Sequence, residues 1–250
     1  MRDAAPIHVG TSGWHYPDWR GPFYPEDLPA GAWLPRYAQA FDAVEVDATF
    51  YRLPSEAAFR RWAEQVPAGF RFAVTAPRTI THFRRLRGAE AAVERFLGRA
   101  RLLGPHLGPI LWQLRPDMPV DLKLLRDFLT ALPADLTHAV EARHKSWFTE
   151  PVYDLLRDRG APLVLWNAGA LDSPAVLTGP VVYLRYHGAG PAIGYPPARV
   201  EAEAARIAAW AERGHEVWAF FDNDLDGHAV RDAMLLRRAL ERYTRPLEPA

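Results

Sequence analysis

The sequence of 250 residues contains no cysteine. No disulfide and no thiolate-bound metal can therefore form, and a reducing, cytoplasmic location is the expectation. Lysine is nearly missing: apart from Lys123 and Lys145, the basic residues are arginine. We read this as genome bias before any role in phosphate binding. An excess of one charge is missing as well, since 30 basic residues balance 30 acidic ones. Nucleic-acid binding driven by bulk charge is not indicated, although a local basic site stays open. No apolar run approaches the ~20 residues of a membrane span, so no membrane partner is expected. The apolar stretch in MRDAAPIHVG is too short for a signal peptide. There is no low-complexity tract, no break in composition and no glycine-rich phosphate fingerprint after the first strand.

What is present is a repeated alternation. Apolar residues make up 49% of the chain, ordinary for a globular protein, and 250 residues can enclose a large core. Proline falls mostly between elements, as turn punctuation does. Strands are expected over 7–13, 42–51, from Phe70, from Pro109, over 139–143, from Pro162, from Val181 and from Glu216. Amphipathic helices alternate with them, for example the one that Ser55 would cap, whose Phe59, Trp62 and Val66 have helical spacing. Only residues 168–180 separate the sixth strand from the seventh, too few for a full crossover helix. The pattern predicts one α/β domain over 1–250. It is a single (β/α)8 TIM-type barrel with a shortened or missing helix after the sixth strand. A doubly wound open sheet is the runner-up.

Parity along the strands sorts oily positions from ionisable ones. In AVEARHKSW, Glu141 and Arg143 leave the same face. In DAVEVDATFY, Glu45, Asp47 and Thr49 share one face and Val44 and Val46 the other. Ser12, Gln113, Arg185, His187, Asp222 and Asn223 also fall at strand ends. In a barrel these converge on one mouth, where active sites of such folds form. The rings of Trp14, Trp19, Tyr24 and Trp147 lie in loops on the same side and are expected to offer a stacking surface. The loop GAGPAIGYPP is expected to act as a mobile cover.

Three chemistries compete for this set. Carboxylates with His187 and His82 could hold a divalent metal, but Arg143 and Arg185 would repel it, so no cofactor is expected. Glu45 and Glu141 could work as general acid and base, each tuned by an arginine, with Asp222 beside them and His187 as a reserve proton carrier. Arg143 and Arg185 could fork onto a phosphate or carboxylate, with rings stacking a base or sugar. A structural ion-pair layer closing the barrel is the bland alternative. The favoured reading is an enzyme of hydrolase or isomerase/lyase type, acting on a small anionic or hydroxyl-rich substrate. The alternatives are a metal-dependent hydrolase and a non-catalytic module for a nucleotide, oligonucleotide or sugar phosphate.

The strings GTSGWHYPDWRGPFYP, VEVDATFYRLPS, ITHF, VEARHKSWF, YLRYHG and FFDND, the last followed by Gly-His-Ala, together resemble the YecE-like proteins, domain of unknown function 72. The resemblance covers nearly the whole chain. It implies a TIM-type barrel of bacterial or archaeal origin and brings no settled reaction. It also implies recurring polar residues at Ser12, Glu45, Thr49, Tyr51, Thr81, His82, Gln113, Glu141, Arg143, Ser146, Trp147, Arg185, His187 and Asn223. The sequence departs from that pattern at Asp47, where the family often has Asn, and at Thr75, where it often has Lys. It departs again at Asp222, which opens a run usually written Asn-Asn-Asp. Without a lysine at position 75, a lysine base or Schiff base there is ruled out.

Overall fold

Two sheets of parallel strands carry the architecture in the computed structural model, which describes residues 4–168, 171–188 and 194–244. The strands are β1 (Ile7–Thr11), β2 (Ala43–Val46), β3 (Arg71–Thr75), β4 (Leu107–Gln113), β5 (His138–Glu141), β6 (Leu165–Ala168), β7 (Leu171–Asp172), β8 (Val181–Tyr186) and β9 (Glu216–Phe221). The helices are α1 (Trp33–Tyr37), α2 (Ala48–Tyr51), α3 (Glu56–Glu64), α4 (Glu90–Ala100), α5 (Leu122–Ala131), α6 (Glu150–Asp158), α7 (Pro197–Glu212) and α8 (His228–Thr244). One sheet has the order β2-β3-β4-β5 and the other β1-β9-β8-β6-β7. Every pairing is parallel except that of β7, which folds back antiparallel on β6. The fold is therefore α/β, with one all-parallel and one mixed sheet. No helix among the described residues is long and apolar enough to cross a membrane.

Local chemistry explains these elements. The strands are short apolar runs buried on both faces, as parallel strands covered by helices must be. Ser55 caps α3 by accepting from the Ala58 amide at 3.3 Å, and Asp121 caps α5 through the Leu124 amide at 3.0 Å. Gly10 is demanded by proximity: a Cβ there would lie 2.0 Å from the Ala43 carbonyl oxygen, so only glycine lets β1 pass so close to β2. Gly160 ends α6 at φ +59°, a left-handed conformation that closes helices.

The core has two parts. The larger packs helices against the outer faces of the strands. The smaller draws Ala43, Ala73, Leu111 and Ala139 from one sheet together with Tyr183, Trp218 and Phe220 from the other. Two residues further along, the same faces carry Glu45, Glu141, Arg185 and Asp222. A charged layer thus rests directly on an apolar one.

Several expectations need correcting. The strand expected over 42–51 stops at Val46, because the chain turns into α2 at once; Thr49 is a buried helical residue and not a strand residue. No helix occurs within 171–180 among the described residues, in line with the short connection, but the antiparallel β7 was not expected. β6 pairs with β8 along one edge, and β7 takes up the other. The loop expected to act as a cover lies partly, at 189–193, outside the described residues.

Candidate functional site

The site begins with parity. Adjacent parallel strands hold neighbouring residues in register, so polar residues at like positions meet at one level. Gln113 pairs with Glu141, and Ser12 bridges to Glu45. Glu45 and Glu141 are fully buried, and Arg185 lies between them. Its NH2 donates to Glu45 Oε1 at 2.8 Å and to Asp222 Oδ2 at 3.1 Å, while its NH1 donates to Glu141 Oε2 at 2.8 Å. Ser12 Oγ donates to Glu45 Oε1 at 2.7 Å and Tyr183 OH to Glu45 Oε2 at 2.6 Å. Arg143 grips Glu141 Oε1 through Nε at 2.7 Å and reaches His187 Nε2 through NH2 at 2.7 Å. His187 Nδ1 lies 2.8 Å from Asp222 Oδ2.

Asp222, His187, Arg143, Glu141 and Arg185 therefore form a closed ring of side chains. The ring assigns the histidine tautomer. A guanidinium can only donate, so Nε2 must accept and Nδ1 must carry the proton given to Asp222. In that arrangement the Nε2 lone pair of His187 is occupied. With Glu45 included, three carboxyl groups face two guanidiniums in this cluster.

Electrostatics separates the carboxyls. Burial pushes Glu141 up, but the charges of Arg185 and Arg143 outweigh it and hold the group at about 2. Burial also raises Asp222, but Arg185 and the His187 hydrogen bond bring it below the usual range. Both oxygens of Glu45 and of Glu141 are taken up by donors from Arg, Ser or Tyr. The expected acid/base pair is thus saturated, and so is His187. Asp47 differs. Burial pushes it up, and the charges of Asp222 and Glu45 add to this, so it titrates at about 6. Tyr16 OH lies 3.3 Å from its Oδ2 and 2.8 Å from the Ser12 carbonyl oxygen, two acceptors that share the one phenol proton.

Asp47 opens into a groove of about 580 Å³ that runs beside the strand ends. Trp14, Tyr16 and Tyr51 contribute to its lining from the strand-end segments, and Arg61, Trp62 and Gln65 from α3 and its C-terminal end. Of the four rings expected to stack a ligand, Trp14 lines this groove, edge-on to Trp62 at 5.3 Å. The other three are core. Trp19, Tyr24 and Trp147 are at most 1% exposed, and their polar atoms are spent on the carbonyls of Asp224, Trp14 and Met118. Large rings favour burial when a carbonyl can take their N–H or O–H.

Other expected residues are structural. The Thr49 hydroxyl makes contacts of 2.8 and 2.6 Å with the carbonyls of Val46 and Thr75. Ser146 Oγ accepts from the Val120 amide at 2.8 Å and contacts His144, tying down the loop after β5. Asn223 is buried and donates to Asp232 at 2.8 Å. Gln113 sits half-buried at the end of β4 beside Glu141. His82 lies on a π-helical turn over Thr79–Phe83, hydrogen-bonded to Thr81 and edge-on to Phe50. Sequence reasoning missed Tyr16, Arg61 and Trp62, which share no parity with the charged set. Parity along VVYLRYHG sets Tyr183 on the side of Arg185 and His187, but the residue is not among those expected at the site; the structure adds it as a donor to Glu45.

With this geometry in hand, comparison with known proteins is informative. The family model described as "Protein of unknown function DUF72" matches residues 8–250. The protein YecE of Escherichia coli K12 is 33% identical over 172 residues, which is 68% of this chain and 60% of YecE. YunF of Bacillus subtilis 168 is 26% identical over 187 residues, 70% of this chain and 64% of YunF. The match thus spans somewhat under two thirds of these relatives' lengths. The crystal structure of a DUF72 family protein (TM1631) from Thermotoga maritima superposes with a TM-score of 0.86 at 26% identity, covering 94% of this chain and 99% of that one.

Proposed function

We propose a function for this chain, which belongs to the DUF72 family of proteins of unknown function, from its own side chains. It is an acid/base enzyme of hydrolase or isomerase/lyase type, acting on a small hydroxyl-rich or anionic substrate at the C-terminal ends of its strands. Its architecture is a closed (β/α)8 barrel. Closure is supported by single parallel bridges between the sheets, Ser12 with Glu45 and Val140 with Leu163, and by the inner cluster fed from both sheets.

The observation that carries the reading is Asp47: a partly exposed carboxyl, titrating at about 6, at the edge of a groove of ligand size. A group with that value is mostly ionised at neutral pH yet takes and returns a proton readily, which is what a general acid/base needs. The buried ring serves it indirectly. Glu45 and Asp222 supply the negative field that raises Asp47, and Arg185 makes their burial tolerable. Glu45, Glu141 and His187, whose proton-accepting atoms are occupied, act as positioning groups. Trp14, Tyr51, Arg61 and Trp62 bind substrate.

The test is incubation with pools of hydroxyl-rich metabolites, read by mass spectrometry. Turnover should fall by about 100-fold or more in Asp47→Asn while ligand affinity survives. Ligand bound by the parent protein and recovered unchanged would replace the enzyme reading with that of a binding module.

A further inference from the structure

The groove is electrically lopsided. At the strand ends, Asp47 lies within the fields of Asp222 and Glu45, and Tyr16 lies within those of Asp47, Asp224 and Asp222. An anion entering beside Asp47 meets the charges of Asp222 and Glu45. The wall from α3 is different. It presents Arg61, exposed and without a carboxylate partner among the described residues, beside the Gln65 amide. Next to the groove, Arg78 lies 5.5 Å from the centre of the Tyr51 ring and 5.5 Å from that of Phe83. Arg78 has no carboxylate partner among the described residues either.

Tyr51 and Phe83 are 65% and 66% exposed, an unusual state for large rings, and Tyr51 also lines the groove. Their stacking on Arg78 orients a guanidinium that no carboxylate neutralises. Arg61 on the α3 wall and Arg78 stacked on Tyr51, with Asp47 in a negative field at the strand ends, define a ligand with two unlike ends.

We infer that the groove takes a phosphorylated, hydroxyl-rich ring compound, its phosphate held by Arg61 and Arg78 and its uncharged hydroxyls facing Asp47. The inference rests on the acid/base reading only for what happens at the Asp47 end. Arg61 and Arg78 alone decide the phosphate. Arginine suits the task because its planar fork matches phosphate oxygens. A sugar phosphate and a nucleotide share this chemistry; a nucleotide would in addition place its base on the free face of Tyr51.

Isothermal titration with ribose, ribose 5-phosphate, adenosine and AMP tests this. Each phosphorylated probe should bind about 10-fold or more tightly than its unphosphorylated counterpart, and the margin should shrink as salt is raised. Arg61→Ala with Arg78→Ala should erase the margin, and Arg61→Lys with Arg78→Lys should restore part of it. Tyr51→Ala weakening AMP more than ribose 5-phosphate identifies a nucleotide; an equal effect on both identifies a sugar phosphate. Equal affinity for phosphorylated and plain probes, or a margin that survives the double alanine variant, overturns the inference. The acid/base reading fails separately, through turnover that is indifferent to Asp47→Asn.

Discussion

Replacing Asp47 by asparagine should stabilise the protein at neutral pH and do so less and less as pH falls. The folded carboxyl titrates at about 6, against 3.8 for the unperturbed group. Between those values the folded chain binds more protons than the unfolded chain, so stability drops as pH rises through the window. Below about pH 4 both states are protonated and the penalty is absent; above about 6 it is complete. A shift of this size corresponds to about 3 kcal/mol, and screening at a partly exposed carboxyl reduces it to roughly 1–2 kcal/mol. Asparagine keeps an acceptor for Tyr16 OH and never ionises, so it escapes the penalty. Urea denaturation at pH 7.5 should show Asp47→Asn ahead by roughly 1–2 kcal/mol, or about 2–8 °C in Tm for a chain of this length. At pH 5 the advantage should be about half as large, and toward pH 4 it should nearly vanish. An advantage that does not change with pH, or a variant less stable than the parent at pH 7.5, would refute the assignment of Asp47 as a carboxyl destabilised by its neighbours. Carbon-detected NMR of the Asp47 carboxyl gives the midpoint directly.

The remaining predictions concern the ring and the core. Arg185→Met should cost about 3–5 kcal/mol in urea denaturation, since it leaves Glu45 and Glu141 buried without their shared counter-charge. Glu141, held at about 2 instead of 4.5, contributes stability that is present above pH 4.5 and lost as pH falls toward 2, about 3 kcal/mol in all. Glu141→Gln should remove that part of the acid dependence while weakening the protein at pH 7. Trp147→Ala should destabilise by about 3–5 kcal/mol, as loss of a core ring does, with no selective loss of groove affinity in the fraction that folds. A variant of normal stability and impaired binding would return Trp147 to the ligand surface.

Alternation along strands is a local property, and the side-chain period of two depends on nothing beyond the strand itself. For that reason Glu45, Glu141, Arg185 and Asp222 could be assigned to one level from the letters alone, and they do meet there, linked through Arg185. The short interval before β8 likewise excluded a crossover helix by length. Position 47 shows the limit. Parity set Asp47 beside Glu45 as one more polar residue, but its character comes from the chain turning into α2 just past β2 and from the fields of neighbours distant in sequence.

The aromatic residues make the same point from the other side. Trp19, Tyr24 and Trp147 read as a ligand surface because loops rich in rings are rarely idle, yet each found a carbonyl and sank into the core. Tyr51 and Phe83 stayed out and stack on Arg78. The α/β alternation, the polarity of each strand face and the family were legible in the order of residues. Tertiary structure alone decided which carboxyls are saturated, which one is left to titrate and which rings meet solvent. Those outcomes depend on distances between segments far apart in the chain, and no local pattern encodes such distances.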